Sequence, residues 1–318
     1  MKLSIVTSVY YSDNYLHSFY SRASLAAKEL IQSSKNEFVD YELIFVNDGS
    51  PDDSLTTLKK LAATNAEVVI VNLSRNYGHH MALHAGLEQS VGDYVFLIDC
   101  DLEESPELVL DFWQKMQSDA DIDVVFGVQK KRKGNFFEVL SGKLFYKFLN
   151  TIIDLEYPHD TLTARLMNRN YVDEVLRYPE KSLELWSVFT LVGFRQEAVY
   201  TEKLSKGIST YHFGRKIKLA IETITSTSNR PLYFIFLVGL IIFGLSGTYL
   251  AYILYIALTA EGVVEGWAST IASIWLVGGI TFLLLGIIAI YLAKIFQEVK
   301  ARPLYGIKSI TKTEKSEP

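Results

Sequence analysis

Several features that define common protein classes are rare or missing in this sequence. The chain of 318 residues has one cysteine, Cys100, which excludes a disulfide framework and is consistent with a reducing compartment. No glycine occurs between Thr7 and Tyr15, so the glycine-rich turn of dinucleotide-dependent dehydrogenases is missing. The net charge of −5 argues against nucleic acid as a partner. The six histidines lack metal-ligand spacing and are interpreted as surface or loop residues.

Charged residues are missing from two long segments, 231–260 and 266–293. As helices they would extend about 42 to 45 Å, beyond the ~30 Å hydrocarbon core of a bilayer, so both can span it with tilt. The connector holds Glu261 and Glu265 but no Lys or Arg, whereas basic residues flank the pair of segments on both outer sides. By the positive-inside rule we expect a two-helix transmembrane anchor over 231–294, with both termini in the cytoplasm. Glycines in these segments would permit close helix packing, within a subunit or across a homo-oligomer.

Before residue 129 the sequence alternates strand-like and helix-like patterns. This predicts an α/β fold with a mostly parallel sheet and flanking helices. The predicted strands are 3–9, 41–46, 68–73, 94–98 and 123–128, and the predicted helices include 15–33 and 79–90. Because ligands of open α/β sheets bind beyond the carboxyl ends of the strands, the polar clusters that follow the first four strands predict a nucleotide-type site there.

The fourth predicted strand runs directly into an acidic segment. Its carboxylates are Asp99, Asp101, Glu103 and Glu104. In an extended chain residues i and i+2 point to the same side about 6 to 7 Å apart, so Asp99 and Asp101 can converge on one divalent cation. The alternative is an acidic turn that caps a helix starting near Ser105. The position at the carboxyl edge of the sheet, beside Asp48, favours the metal site.

Two segments combine basic and apolar residues at helical spacing. Residues 130–153 predict an amphipathic segment at a membrane surface, and the alternative is a helix packed on the sheet with a solvated basic start. Residues 213–230 predict a juxtamembrane amphipathic helix. The last segment, 295–318, is predicted to be a cytoplasmic tail, which we expect to be disordered after Ile310.

Six short stretches occur in a characteristic order along nearly the whole chain. They are Ser8 to Asn14, Val46 to Ser50, Ser74 to Gly78, Leu97 to Glu103, Lys206 to Tyr211 and Ser228 to Leu232. Each stretch alone is weak evidence for a family, but with all six in this order the chain resembles family-2 glycosyltransferases with a GT-A fold. Within that family it is similar to the membrane-anchored polyprenyl-phosphate glycosyltransferases.

The resemblance implies a cytoplasmic GT-A domain over 1–212 that moves a sugar, with inversion, from a nucleotide-sugar to undecaprenyl or a similar polyprenyl phosphate at the inner membrane. It implies Mg²⁺ or Mn²⁺ as cofactor, with Asp101 and Glu103 as metal ligands. The implied donor-binding residues are Thr7, Val9, Tyr10, Ser12, Asp48, Arg75, Asp99 and Arg165. The implied catalytic residues are Asp99, Asp101 and Asp160, and those expected to bind the acceptor phosphate are Lys131, Arg132 and Lys143.

The chain also departs from the family pattern. Ser8 replaces a proline, Tyr11 and Ser12 replace an Asn-Glu pair, and Thr163 replaces the acidic residue of a Gly-Asp-Phe-Arg motif. These differences indicate a subgroup with an altered donor pocket and leave the general base open, with Asp160 as the nearby carboxylate. Two alternatives remain, namely an enzyme that extends a lipid-linked oligosaccharide and a non-catalytic membrane-tethered nucleotide-binding module.

Overall fold

The computed structural model describes residues 1–34, 37–130, 161–178, 185–201 and 266–312, together with scattered positions between 232 and 255. The strands are β1 (Lys2–Val9), β2 (Asp40–Asn47), β3 (Val68–Leu73), β4 (Tyr94–Leu97), β5 (Val124–Gln129), β6 (Thr161–Asn168), β7 (Gln196–Thr201) and β8 (Ile307–Lys312). The helices are α1 (Asp13–Ser33), α2 (Ser54–Thr64), α3 (His79–Gln89), α4 (Leu108–Gln117), α5 (Arg169–Leu176), α6 (Leu185–Leu191) and α7 (Trp267–Val299).

The strands form one sheet of eight, in the order β7-β5-β6-β4-β1-β2-β3-β8. Its centre, β4-β1-β2-β3, is parallel, with Ile5 opposite Leu43 in β2 and Phe96 in β4. This confirms the predicted mostly parallel sheet. Because the central strands run parallel, the chain segments that leave their carboxyl ends lie along one edge, where such folds bind ligands.

The central strands are buried on both faces, which is why they are nearly continuous apolar runs in the sequence. Leu3, Ile5 and Phe45 face a core shared with α1, α2 and α4. Val6 and Ile44, one residue along each strand, face a second core shared with α3, α5 and α6. The sheet is therefore a rigid layer between two cores, and it fixes the segments at its carboxyl edge.

Strand β8 corrects one prediction about the end of the chain. We expected disorder after Ile310, but Thr311 and Lys312 belong to β8, which pairs antiparallel with β3. The pairing covers the edge of β3, whose N–H and C=O groups would otherwise be open to another chain. Tyr305, just before β8, anchors this segment, since its hydroxyl lies 3.0 Å from Nδ1 of His84 and donates to Glu88 at 2.7 Å.

Helix α7 belongs to a second compact unit. Its segment Leu276–Phe296 has 21 residues, about 32 Å of helix, and by length and composition it is the one described helix able to cross a membrane. Large apolar side chains of α7, such as Phe282 and Leu292, are exposed. This segment lies in the predicted second span, whereas the predicted first span, 231–260, falls mostly outside the described residues.

Candidate functional site

Asp48 lies just beyond the carboxyl end of β2, and two backbone amides hold its carboxylate. Its oxygens accept hydrogen bonds from the N–H groups of Tyr77 at 2.7 Å and Gly78 at 2.9 Å. The loop that supplies these amides packs on Gly49, where an added Cβ would lie 2.5 Å from the carbonyl carbon of Arg75. Gly49 also has φ of 61°, a conformation that favours glycine. Asp48 thus ties the loop after β2 to the loop after β3.

Opposing effects act on the charge of Asp48. Burial is the largest and raises the pKa of this carboxyl group, while the two amides, His79 and Arg75 act to lower it. Asp48 is only 2% exposed, so the two hydrogen bonds of its carboxylate replace the water it lost on folding.

Groups from two different elements face the two oxygens of Asp99. The hydroxyl of Thr163, in β6, donates to Oδ2 at 2.8 Å. On the other side Nε2 of His79, the first residue of α3, lies 3.6 Å from Oδ1. Thr163, the residue at which the chain departs from the family's acidic pattern, therefore contacts Asp99 directly.

The turn that carries Asp101 is compact. Oδ1 of Asp101 accepts the N–H of Glu103 at 3.0 Å, and Leu102 between them has φ of 62°. A non-glycine residue in this left-handed region costs roughly 1 to 3 kcal/mol, and such strain is found most often at functional sites. The two carboxylates implied as metal ligands lie together, half-buried, in one short turn.

Glu104 has a different position from its neighbour Glu103. It is only 2% exposed, and its two oxygens accept the backbone N–H groups of Thr163 at 3.0 Å and Ala164 at 2.7 Å. These bonds join the acidic turn to β6. Glu104 therefore acts as a structural clamp, and the sequence did not distinguish it from Glu103.

His79 is a site residue that the sequence analysis missed. Its Nδ1 lies 2.9 Å from Oγ of Ser8, so one imidazole contacts both the end of β1 and Asp99. The carbonyl of Ser8 in turn accepts a hydrogen bond from the thiol of Cys100 at 3.2 Å. Burial raises the pKa of that thiol to about 11, so Cys100 is neutral and structural. The sequence could have indicated His79 as a site residue, because it directly follows the polar cluster after the third predicted strand.

The remaining donor-binding residues of the resemblance lie on several elements. Thr7 and Val9 are buried in β1, and the carbonyl of Val9 accepts the N–H of Asp48 at 3.0 Å. Ser12 is buried at the start of α1, where its N–H donates to Ser54 at 3.3 Å. Tyr10 is exposed, with its ring 4.8 Å from that of Tyr11. The structure thus places Val9 next to Asp48 and Ser12 next to Ser54 at the start of α2, and it leaves the Tyr10 ring exposed.

The two implied donor-binding arginines have different surroundings. Arg75 is exposed, and its guanidinium lies 4.0 Å above the ring of Tyr77 in the loop that holds Asp48. Arg165 is buried in β6, with its guanidinium 3.7 Å from the ring of Phe189 and 4.7 Å from that of Trp186. Both rings belong to α6, so Arg165 packs against that helix.

Four implied residues lie outside the described residues. They are Asp160, Lys131, Arg132 and Lys143. Within the described part of the chain, no cluster of three or more His, Cys, Asp or Glu side chains is arranged to hold a metal ion. The pair Asp101 and Glu103 nevertheless fits Mg²⁺, because this ion typically takes one or two protein carboxylates and completes its shell with phosphate oxygens and water.

The histidines of α3 contradict the interpretation of all six as surface or loop residues. His84 is 4% exposed, and His80 is partly buried with its Nδ1 accepting the N–H of Leu185 at 3.1 Å. Burial lowers the pKa of His80 to about 4 and also lowers that of His84. Both rings are therefore neutral at pH 7.

This burial predicts a pH-dependent stability. Because the unfolded chain binds protons at these histidines near pH 6.5 and the folded chain does not, stability should fall as the pH drops from about 6.5 to about 4. The variant His80→Asn retains an acceptor for the Leu185 amide but cannot titrate, so its unfolding midpoint should fall less over this range. Thermal unfolding of both proteins at several pH values measures the slopes, and equal slopes would contradict the assignment to His80.

Comparison with known proteins gives consistent matches. The sequence pattern described as glycosyl transferase family 2 matches residues 18–176. A Mycobacterium tuberculosis protein described as "Putative glycosyltransferases" is 39% identical over 310 residues, which are 98% of this chain and 88% of that protein. The SfII prophage-derived bactoprenol glucosyl transferase of Shigella flexneri is 30% identical over 310 residues, which are 97% of this chain and 98% of that protein.

A solved structure is also similar. The crystal structure of S. aureus TarS 1–349 in complex with UDP-GlcNAc aligns with a TM-score of 0.46 and 19% identity, over 71% of this chain and 66% of that one.

Proposed function

The chain belongs to glycosyl transferase family 2, and we propose that it transfers a sugar from a nucleotide-sugar to a polyprenyl phosphate at a membrane surface. The nucleotide-sugar would bind along the carboxyl edge of the sheet, where Asp48, Asp99 and Asp101 follow β2 and β4. Ligand binding beyond the carboxyl ends of parallel strands is the general behaviour of such sheets.

The observation that carries the choice of acceptor is the contact between Thr163 and Asp99. Transfer to a sugar hydroxyl needs a base to take the hydroxyl proton. The position that the family pattern fills with an acid holds Thr163, whose hydroxyl donates a hydrogen bond to Asp99 and is not a base. A phosphate oxygen is already anionic and attacks without losing a proton. Position 163 therefore supplies no base, which fits a lipid phosphate as the acceptor, whereas transfer to a sugar hydroxyl would need another base such as Asp160, which lies outside the described residues.

Two further features support a membrane acceptor. Helix α7 holds an apolar segment long enough to cross a bilayer. The Shigella flexneri relative is named a bactoprenol glucosyl transferase, a name that refers to a sugar and to a polyprenyl carrier. In the proposed arrangement both termini and the catalytic domain lie in the cytoplasm, and Lys131, Arg132 and Lys143 bind the acceptor phosphate. These residues supply the positive charge that such a phosphate needs.

In the proposed reaction a phosphate oxygen of the lipid attacks the anomeric carbon while the bond to the nucleoside diphosphate breaks. A single in-line displacement inverts the anomeric configuration. Asp101 and Glu103 would hold Mg²⁺ or Mn²⁺, which neutralises charge on the departing diphosphate when bound. Asp48 would hold the nucleoside, and Asp99 would face the ribose or the sugar.

The test is transfer of label into lipid. Membranes containing the full-length protein are incubated with labelled nucleotide-sugars, one at a time, with and without added undecaprenyl phosphate, and are then extracted with organic solvent. We expect one donor to label the extract in proportion to the added lipid phosphate. Label that stays in the aqueous phase with every donor would contradict the proposal.

A further inference from the structure

The side chains around Asp99 form contacts that the resemblance does not imply. Two side chains from separate elements face it, His79 from α3 and Thr163 from β6, and the Ser8 hydroxyl of β1 in turn contacts His79. Two of these, Ser8 and Thr163, are positions at which the chain departs from the family pattern. The two departures therefore belong to one chain of contacts, Thr163 at Asp99 directly and Ser8 at Asp99 through His79.

The contacts of the imidazole favour one arrangement of its proton. The Ser8 hydroxyl lies 2.9 Å from Nδ1 and can donate a hydrogen bond to it, which leaves the ring proton on Nε2, the nitrogen that faces Asp99. A proline at position 8 could not make this bond, because it has no side-chain donor.

From this geometry we infer that His79 is a positioning residue, which Ser8 orients so that it and Thr163 fix the Asp99 carboxylate against the donor sugar. The inference rests on the proposed function to the extent that Asp99 faces the donor. His79 acts through Asp99 rather than on a reacting atom. The 3.6 Å contact is longer than a hydrogen bond, and contacts of this kind often tighten only when substrate binds.

His79 is suited to this role by its location. It is the first residue of α3, and its side chain is 39% exposed. Because it is not part of either core, its replacement should leave the fold unchanged. The matched control is His17→Ala, which removes another exposed histidine, located on α1.

The inference predicts a specific pattern in the kinetics. A misplaced reacting group can cost about 100-fold, so His79→Ala should lower kcat about 10- to 100-fold while the affinity for the nucleoside diphosphate changes less than about threefold. Ser8→Ala should lower kcat by a smaller factor. Because Ser8 acts through His79, the double variant should be no slower than His79→Ala alone. His79→Gln, which keeps a donor toward Asp99, should recover part of the lost rate.

Turnover is measured as release of nucleoside diphosphate from the donor, which includes hydrolysis by water. The test therefore does not need the lipid acceptor, and failure of the lipid proposal would leave this pattern intact. An unchanged kcat in His79→Ala would overturn the inference, as would losses that multiply in the double variant. Equal losses in His79→Ala and His17→Ala would also overturn it.

A second measurement does not depend on turnover. With ¹⁵N-labelled histidine, nuclear magnetic resonance of the full-length protein at alkaline pH reports which ring nitrogen of His79 carries the proton. We expect the Nε2-protonated form in the wild type and loss of that preference in Ser8→Ala. An Nδ1-protonated ring in the wild type would overturn the assignment.

Discussion

Replacing Asp101 with asparagine is expected to lower the rate of sugar transfer about 100- to 1000-fold, because it removes a charge that would bind the metal at the departing diphosphate. Asn keeps the size of the side chain and an oxygen that can accept the Glu103 N–H, so the turn should remain folded. The measurement is the initial rate of nucleoside diphosphate release, together with the thermal unfolding transition of each protein.

The control for this prediction is Asp121→Asn, which removes a carboxylate that is 85% exposed in the turn before β5. It should leave the rate unchanged. Chelation of divalent cations should abolish wild-type turnover, and added Mg²⁺ or Mn²⁺ should restore it. An Asp101→Asn enzyme that keeps most of its rate, in a preparation indifferent to the chelator, would contradict the role of Asp101.

Replacing Glu104 with alanine is expected to destabilise the protein by about 3 kcal/mol. The change strips the acceptors from the backbone N–H groups of Thr163 and Ala164, and each buried donor left unpaired costs roughly 1 to 3 kcal/mol. Denaturant unfolding of the full-length protein in detergent, followed by tryptophan fluorescence, measures the loss.

The adjacent residue gives a matched control for Glu104. Glu103→Ala removes a half-buried carboxylate implied as a metal ligand, so it should lower turnover and leave the unfolding midpoint near that of the wild type. Glu104→Ala should lower the unfolding midpoint. At a temperature where it is still folded it should keep its turnover, apart from any rate lost through movement of the turn. Equal unfolding midpoints for the two variants would rule out the clamp.

The features predicted correctly from sequence are local ones. Residues 3–9 and 68–73 were recognised as strands because a strand buried on both faces is a continuous β-branched run. The acidic segment follows its strand directly, so its place at the carboxyl edge of the sheet also followed from the chain order. In both cases neighbouring residues carry the whole signal.

The features missed from sequence depend on contacts between distant residues. His79 approaches Ser8, 71 positions away, only after β1 and α3 pack together. Strand β8 is short and polar, and its partner β3 lies more than 200 residues earlier, so no local sequence pattern predicts this strand. Glu103 and Glu104 are chemically alike, and the fold alone decides that Glu104 turns inward toward β6.

Thr163 was noticed in the sequence, but its role depends on contacts that only the fold reveals. The sequence identified it as a departure from the family and left the base unassigned. The structure shows its hydroxyl bonded to Asp99, in the same network as Ser8 and His79. In our proposal this contact gives Thr163 a positioning role, and the lack of an acid at position 163 fits an acceptor that needs no base there.

The acceptor is therefore the claim to test most directly, by the mass of the lipid product. The full-length protein in membranes is incubated with its preferred nucleotide-sugar and undecaprenyl phosphate, and the extracted lipid is analysed by mass spectrometry. The account predicts a product that exceeds undecaprenyl phosphate by one sugar residue, joined through the phosphate. A product in which the sugar is added to a lipid-linked oligosaccharide, with undecaprenyl phosphate unchanged, would contradict it.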